Sequence, residues 1–421
     1  MRIHPIIHNT IDWTLRTDIG QRALLVAGAI IISFAWINIA GYNLICNIDC
    51  GSYLSAGDVF FSGHIDHFRT PVYPIICHLA TSILQYDGLY IVATLQFLAF
   101  LVSIIYIHKA AATFIGSYKF RFFATALYAW SIPVIDTTTV ILTESFTISG
   151  IAIFIYLLLR IATHTASRRH SVATPLLLAT LILLRPFNIC FIPVLIIAIA
   201  TARKNPNVYK SAIVSSLISI GIILAYCTLF YIEHGKFQLS SVTSVNHAFI
   251  FDTTNDYLTV KTLPLADTDS IHNIEYWQIT YPNEHLDEAD SIYRHDIWHF
   301  ATSRITQFDA STDSFFPQYF NRRCYTYFYQ IQCVTLAQVY FLLLIICLHT
   351  IYVHIRYRRN NMPLAILLLT CFITIFTAVW GGDNSGFGRL MMPMFPALCL
   401  LLAGFIDSIG LRLITTTAQK N

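Results

Sequence analysis

Charged residues are scarce in this sequence: Asp, Glu, Lys and Arg make up 12% of its 421 residues. Soluble domains carry roughly 25% charged residues. Hydrophobic residues make up 56% and the mean hydropathy is +0.60, with apolar runs near the length that crosses a bilayer. The chain is therefore expected to lie in a membrane. The net charge is only +3 and no basic block occurs, which argues against a nucleic-acid partner.

Sequence signals for zinc, glycosylation and repeats are also missing. The ten cysteines include no Cys-x-x-Cys pair, and no Asn-x-Ser/Thr sequon occurs. Internal repeats and low-complexity segments are absent as well. Most cysteines lie in apolar runs, as core residues do. Cys46 with Cys50, and Cys324 with Cys333, lie near predicted loops and would form local disulfides in an oxidising compartment.

The apolar runs predict an all-α polytopic membrane protein with about ten transmembrane helices. They lie at 23–45, 88–108, 120–134, 138–160, 172–185, 187–202, 211–232, 331–353, 362–380 and 390–409. The first run is too long for the core of a signal peptide, and no small-residue cleavage site follows it. We therefore expect a retained first span.

The distribution of Lys and Arg predicts the orientation of these spans. Each short loop on one side carries basic residues, whereas the short loops on the other side carry almost none. Basic residues concentrate in cytoplasmic loops. We expect a multi-pass protein of the cell (inner or plasma) membrane with both termini in the cytoplasm.

Two segments on the outer side are long enough to act as more than connectors. The first is the loop 46–87, in which the short apolar stretch Val72–Leu84 predicts an interfacial or re-entrant helix. The second, 233–330, is polar and aromatic and predicts a small outer-face domain with a helix around Glu288–Ile305. The chain thus divides into an N-terminal membrane module (1–232), the outer-face domain and a C-terminal membrane module (331–421).

The outer ends of the predicted spans collect most of the chemically useful side chains. These are Asp49, Asp58, His64, Asp66, His67, Arg69, Asp136, Glu144, Arg185, Asp383 and Arg389. Acidic and basic side chains at one end of a set of apolar helices fit a site that holds an anion beside a proton acceptor. Asp58, Asp66 and Asp136 also fit ordinary loop or capping carboxylates, and His64 and His67 fit solvated loop histidines.

Two carboxylates are the candidate catalytic groups. Asp49 could act as a general base towards a hydroxyl, or it could cap a helix running through Tyr53–Phe61. Glu144 is predicted about two turns inside an apolar span, where an ionisable residue indicates function. It could instead pair with a Thr hydroxyl or with Arg185 for packing.

Two arginines are candidate anion-binding groups. Arg69 precedes Thr-Pro and is therefore expected in extended rather than helical backbone. Arg389 follows a glycine-rich turn. A guanidinium binds a phosphate or carboxylate in bidentate fashion. Either arginine could instead contact lipid headgroups.

The order of these motifs resembles the GT-C superfamily of integral-membrane glycosyltransferases. A loop Asp is followed by Tyr-x-x-Ala-Gly, Arg-x-Pro-x-Tyr-Pro and Thr-Glu-Ser, and Arg-x-x-x-Pro-x-x-Pro opens the last span. The likeness is greatest to the bacterial branch related to protein O-mannosyltransferases and aminoarabinose transferases. It covers about 1–232 and 331–410.

The resemblance implies a polyprenyl-phosphate-linked sugar as donor and a hydroxyl of a lipid or glycan acceptor on the outer face. Asp49 matches the first-loop base, Glu144 the acidic residue of the Thr-Glu motif, and Arg389 the arginine that would hold the lipid phosphate. A single displacement would invert the anomeric centre. The predicted substrate-binding residues are Arg69, Tyr73, His67, Asp136, Arg185, Asp383 and Arg389.

The chain departs from the family pattern at one place. Many members carry two adjacent acidic residues in the first loop, whereas Ile48 and Cys50 flank Asp49 here. This argues against a metal held by the loop. No cofactor is predicted with certainty, and a divalent metal stays an open alternative.

Three other functions fit parts of the sequence. A secondary transporter would use charge at the membrane midplane and repeated halves. A cell-surface polysaccharide polymerase or ligase would use a large late outer loop. A non-catalytic assembly subunit would need none of the charged residues for activity.

Overall fold

The computed structural model describes residues 16–40, 44, 46, 48–242, 336–357, 361–381 and 390–418. The α-helices in this part of the chain are α1 (Asp18–Ala40), α2 (Ile48–Phe61), α3 (Val72–Leu84), α4 (Gly88–Ala111), α5 (Tyr118–Ala129), α6 (Ile132–Asp136), α7 (Glu144–Ala162), α8 (Arg168–Leu184), α9 (Ile192–Thr201), α10 (Pro206–His234), α11 (Leu336–Tyr357), α12 (Met362–Gly381) and α13 (Phe395–Ala418). The described residues contain no strand. Asp383, Arg389, Cys324, Cys333 and most of the predicted outer-face domain lie outside them.

The chain is an all-α polytopic membrane protein, as its apolar runs predict. Seven helical stretches within the described residues are long and apolar enough to cross a bilayer. Each of the predicted apolar runs coincides with a helix, but some of these helices are short. Helix α5 has 12 residues and α8 has 17.

Helix α7 lies at the centre of the fold. It packs against α4, α8, α9, α12 and α13, and most of its residues are buried. The predicted span 138–160 begins too early, because α7 starts only at Glu144. The hydroxyls of the three preceding threonines, 137–139, donate to carbonyls three residues back. Such local bonds compete with a continuous helix and favour the tight turn found there.

The first outer loop folds into two helices that pack on each other. Helix α2 begins at Ile48, so Asp49 lies in its first turn, and the predicted capping role for Asp49 is wrong. A carboxylate in the first turn still interacts favourably with the helix dipole. Gly57 of α2 makes this packing close, since a Cβ there would lie 2.8 Å from the Pro74 carbonyl oxygen.

Helix α3 is a separate short helix, as predicted for Val72–Leu84. Gln85 follows it with a positive φ of 53°, and a short 3₁₀ turn then leads into α4. A non-glycine residue with positive φ breaks helix geometry. The break separates α3 from the long span of α4.

Helix α10, with 29 residues, is the longest helix among the described residues and leads towards the predicted outer-face domain. Asn205 caps its start by accepting a hydrogen bond from the amide of Val208. Gly235 ends it in the left-handed conformation, with φ of 73°. The helix therefore extends two residues beyond the predicted boundary at 232.

Candidate active site

Asp49 and Arg69 form an ion pair in the first outer loop. Arg69 Nη2 donates to Asp49 Oδ1 at 2.7 Å. Arg69 also donates from Nε to Ser52 Oγ at 2.8 Å and from Nη1 to Tyr53 Oη at 3.2 Å. Residues three and four apart lie on one face of a helix, so α2 presents Asp49, Ser52 and Tyr53 together to the guanidinium.

The Arg69 side chain is also held by aromatic rings. Its guanidinium carbon lies 4.2 Å from the centre of the Tyr53 ring and 4.6 Å from that of Phe68. The Asp66 carboxylate accepts hydrogen bonds from the amides of Phe68 and Arg69. These bonds fix a non-helical backbone at Arg69, as the following Thr-Pro predicts.

The Asp49 side chain is more accessible than that of Arg69. The Asp49 side chain is 30% exposed and that of Arg69 is 11% exposed. A hydroxyl group can therefore approach the carboxylate. Three of the five N–H donors of the guanidinium are used by the contacts above, which orient Asp49.

Glu144 and Arg185 form a second ion pair, which is buried. Arg185 Nη1 lies 3.0 Å from Glu144 Oε1, and the side chain of Glu144 is 2% exposed and that of Arg185 12% exposed. Glu144 is the first residue of α7, rather than two turns inside a span as predicted. Arg185 ends α8 in extended backbone before Pro186. The pairing with Arg185, one of the alternatives that the sequence left open, is confirmed.

Several neutral polar side chains lie in the same region. Thr143 precedes the first residue of α7, Thr147 lies in its first turn, and Asn188 follows Arg185 by three residues. The two hydroxyls and the Asn188 side-chain oxygen are buried without a hydrogen-bond partner in the described part of the chain. Buried oxygens usually have one.

Tyr73 connects the two ion pairs. Its ring packs edge-on against Tyr53, with centroids 4.9 Å apart, and lies 6.1 Å from Phe146 of α7. Its hydroxyl donates to Gln96 Oε1 at 2.8 Å. Gln96 Nε2 in turn donates to the carbonyls of Thr138 and Val140, at 3.0 and 2.9 Å. The loop helices are thereby tied to the segment that precedes Glu144.

The other predicted site residues within the described part of the chain, Asp136 and His67, have different partners. Asp136 is 4% exposed and accepts a hydrogen bond from the Trp36 indole of α1 at 2.8 Å. The His67 carbonyl accepts bonds from the amide and hydroxyl of Ser241, both at 2.9 Å. The structure thus brings together Asp49, Arg69, Tyr73, Glu144 and Arg185 out of the predicted set.

Three residues of this region escape the sequence analysis. Ser52 and Tyr53 contact Arg69, and their spacing from Asp49 is the helical signal that would have found them. Gln96 is fully buried within an apolar run. A polar side chain at such a position is costly unless hydrogen-bonded, so it too could have been read as a connecting residue.

The described residues do not suit a metal ion. No three His, Cys, Asp or Glu side chains come together in this part of the chain. Asp49 and Glu144 each face a guanidinium, which competes with a cation for the carboxylate. We derive no step through a metal.

A disulfide joins Cys46 to Cys50, next to Asp49. This confirms one of the two cysteine pairs that the sequence suggests. The bond ties the chain that enters α2 to the first turn of that helix. It restrains the backbone that carries Asp49.

Comparison with known proteins finds a similarity in fold rather than in sequence. No family model matches the chain, and no curated protein matches it in sequence. Two solved structures of the Archaeoglobus fulgidus oligosaccharyltransferase are similar in fold, each at 13% identity over 94% of this chain. One is the apo form (TM-score 0.52), and the other is AglB in complex with an inhibitory peptide and a dolichol-phosphate (TM-score 0.51). The chain spans about half of their length, 52%. This chain therefore shares its fold with about half of that archaeal oligosaccharyltransferase.

Proposed function

We propose that this protein is a glycosyltransferase that moves a sugar from a polyprenyl-phosphate donor to a hydroxyl of a lipid or glycan acceptor. The reaction takes place on the outer face of the cell membrane and inverts the anomeric centre. The observation that carries the proposal is the Asp49–Arg69 pair, which presents a reachable carboxylate held in one orientation. The shared fold and the dolichol-phosphate of the similar AglB structure support a lipid-linked donor.

In the proposed reaction the acceptor oxygen bonds to the anomeric carbon of the donor sugar. The bond from that carbon to the phosphate oxygen breaks, and the lipid phosphate leaves with the electron pair. Asp49 takes the proton of the acceptor hydroxyl. Phosphate is already a good leaving group, so the site needs to stabilise charge rather than supply a strong acid.

Arg69 orients Asp49 in this account, because Ser52, Tyr53 and the rings of Tyr53 and Phe68 hold the guanidinium that donates to the carboxylate. We propose that its other two N–H donors contact the anionic donor. Arg389, which lies outside the described residues, keeps its proposed role as a contact of the lipid phosphate.

The Glu144–Arg185 pair supplies a second polar surface. The buried oxygens of Thr143, Thr147 and Asn188 lie in the same region and are suited to sugar hydroxyls. We propose that this surface binds the donor headgroup while Asp49 acts on the acceptor. Tyr73 would lie between the two.

A transfer assay tests the proposal. The purified protein in nanodiscs would be given radiolabelled polyprenyl-phosphate monosaccharides and lipid or oligosaccharide acceptors. We expect transfer from at least one donor, with a product of inverted anomeric configuration. Retention of configuration, or no transfer from any polyprenyl-phosphate sugar, would contradict the proposal.

A further inference from the structure

The segment that carries Arg69 is hydrogen-bonded to the C-terminal end of α10. The Glu233 carboxylate accepts a hydrogen bond from the Ile65 amide at 2.6 Å and contacts His64 Nδ1 at 2.9 Å. His234 Nε2 donates to the Ile65 carbonyl at 2.7 Å. Ile65 is four positions before Arg69, so this contact holds the chain that leads into the Asp49–Arg69 pair.

A second hydrogen-bonded contact involves a residue just after α10. Ser241 donates from both its amide and its hydroxyl to the His67 carbonyl, each at 2.9 Å. Together these contacts join backbone groups of residues 65 and 67 to residues 233, 234 and 241. We call the part from 63 to 69 the Arg69 segment.

The segment has few other backbone bonds among the described residues. The amides of Gly63 and His64 donate to the carbonyls of Phe60 and Val59 at the end of α2, and the Asp66 carboxylate accepts from the amides of Phe68 and Arg69. The contacts with Glu233, His234 and Ser241 are the hydrogen bonds that join this irregular turn to α10 and the chain after it. The position of this turn sets the direction from which the Arg69 side chain approaches Asp49.

We propose that Glu233 is a positioning residue for the active site and acts through the Arg69 segment. The two carboxylate oxygens of Glu233 bind the Ile65 amide and the His64 side chain. A single residue therefore holds the Arg69 segment at two points. Because α10 leads into the predicted outer-face domain, the same contacts join that part of the chain to Asp49. This inference rests on the proposed glycosyl transfer.

The test variants differ in which contacts with the Arg69 segment they retain. E233A removes both contacts, whereas E233Q keeps an acceptor oxygen for the Ile65 amide. E233A/H234A also removes the bond to the Ile65 carbonyl. D58A is the matched control, because Asp58 makes a similar 2.8 Å contact with His78 in the same loop without touching the Arg69 segment.

Two readouts are combined. Hydrogen–deuterium exchange of the peptide 62–70 reports whether the segment is held, and steady-state kinetics report its effect on transfer. In E233A we expect exchange in this peptide to accelerate and kcat to fall about tenfold with both KM values nearly unchanged. E233Q should recover most of the kcat, E233A/H234A should exchange faster still, and D58A should resemble the wild type in both readouts.

The exchange readout separates this inference from the proposed function. Unchanged exchange of 62–70 in both E233A and E233A/H234A would overturn it, and so would faster exchange with an unchanged kcat. A wild-type protein that transfers no sugar would instead contradict the proposed function. The exchange comparison would still decide whether Glu233 holds the segment.

Discussion

At the scale of single residues, the site consists of two ion pairs in different surroundings. Asp49 keeps part of its surface exposed, while Arg69 is largely enclosed by Tyr53 and Phe68. In the second pair the carboxylate, Glu144, is itself buried, and Arg185 is only 12% exposed. An exposed carboxylate can exchange a proton with a substrate, whereas a buried pair provides fixed charge and shape. The difference in exposure is why we assign the base to Asp49 and headgroup binding to Glu144 and Arg185.

Variants of the Glu144–Arg185 pair can distinguish a structural role of the pair from a role in substrate binding. Replacing one partner leaves the other charge buried, so E144Q should destabilise the protein by about 3 kcal/mol. A double variant E144Q/R185M removes both charges and should recover most of that stability. The midpoint of chemical unfolding in detergent measures both effects.

The transfer rate of the same double variant decides the role of the pair. If Glu144 and Arg185 bind the donor, E144Q/R185M stays nearly inactive although it is stable. A double variant that regains both stability and transfer would show that the pair only supports packing.

At the scale of elements, the close contact between α2 and α3 places Asp49. Gly57 permits it, since an added Cβ would lie 2.8 Å from both the Pro74 carbonyl oxygen and His78 Cβ. Gly51, in the same helix, has nothing within 4 Å of such a Cβ. The two glycines therefore make a matched pair for mutation.

Alanine should have opposite effects at these two positions. G57A forces α2 away from α3 and should cost about 1–3 kcal/mol, with a loss of transfer. G51A removes a glycine from a helix and should be neutral or stabilising by up to about 1 kcal/mol. Unfolding midpoints and transfer rates measure this, and equal behaviour of the two variants would contradict the assigned contact.

The elements also show which features a sequence can reveal. The helices were predictable because each long apolar run must satisfy its backbone inside the membrane. The start of α7 was not, because local Thr hydroxyl bonds end the preceding helical turn and leave Glu144 at the first position. The Asp49–Arg69 pair joins residues 20 apart across an irregular turn, which no periodic pattern encodes.

At the scale of the whole molecule, orientation in the membrane follows from charge. The turn between α9 and α10 carries Arg203 and Lys204, while the turn between α3 and α4 carries no Lys or Arg. Basic residues favour the cytoplasmic side. The end of α2 and the start of α3, with the candidate active site between them, are then expected on the outer face.

Labelling with a membrane-impermeant thiol reagent in intact cells tests this orientation. A cysteine at Tyr86, which is 62% exposed, should react in the variant Y86C. A cysteine in the exposed turn at Lys204 should react in K204C only after the cells are opened. The parent protein supplies the background from its native cysteines, and the reverse pattern would place the site on the cytoplasmic face.

The central claim is that Asp49 is the base of a glycosyl transfer, and D49N tests it most directly. Asparagine keeps the size and an acceptor oxygen for Arg69 but cannot take the proton. With saturating polyprenyl-phosphate sugar and acceptor, we predict that D49N folds and binds the donor lipid like the wild type, yet transfers no sugar. The matched variant D58N, at an exposed carboxylate of the same helix, should retain full activity. Turnover by D49N at the wild-type rate would contradict the account.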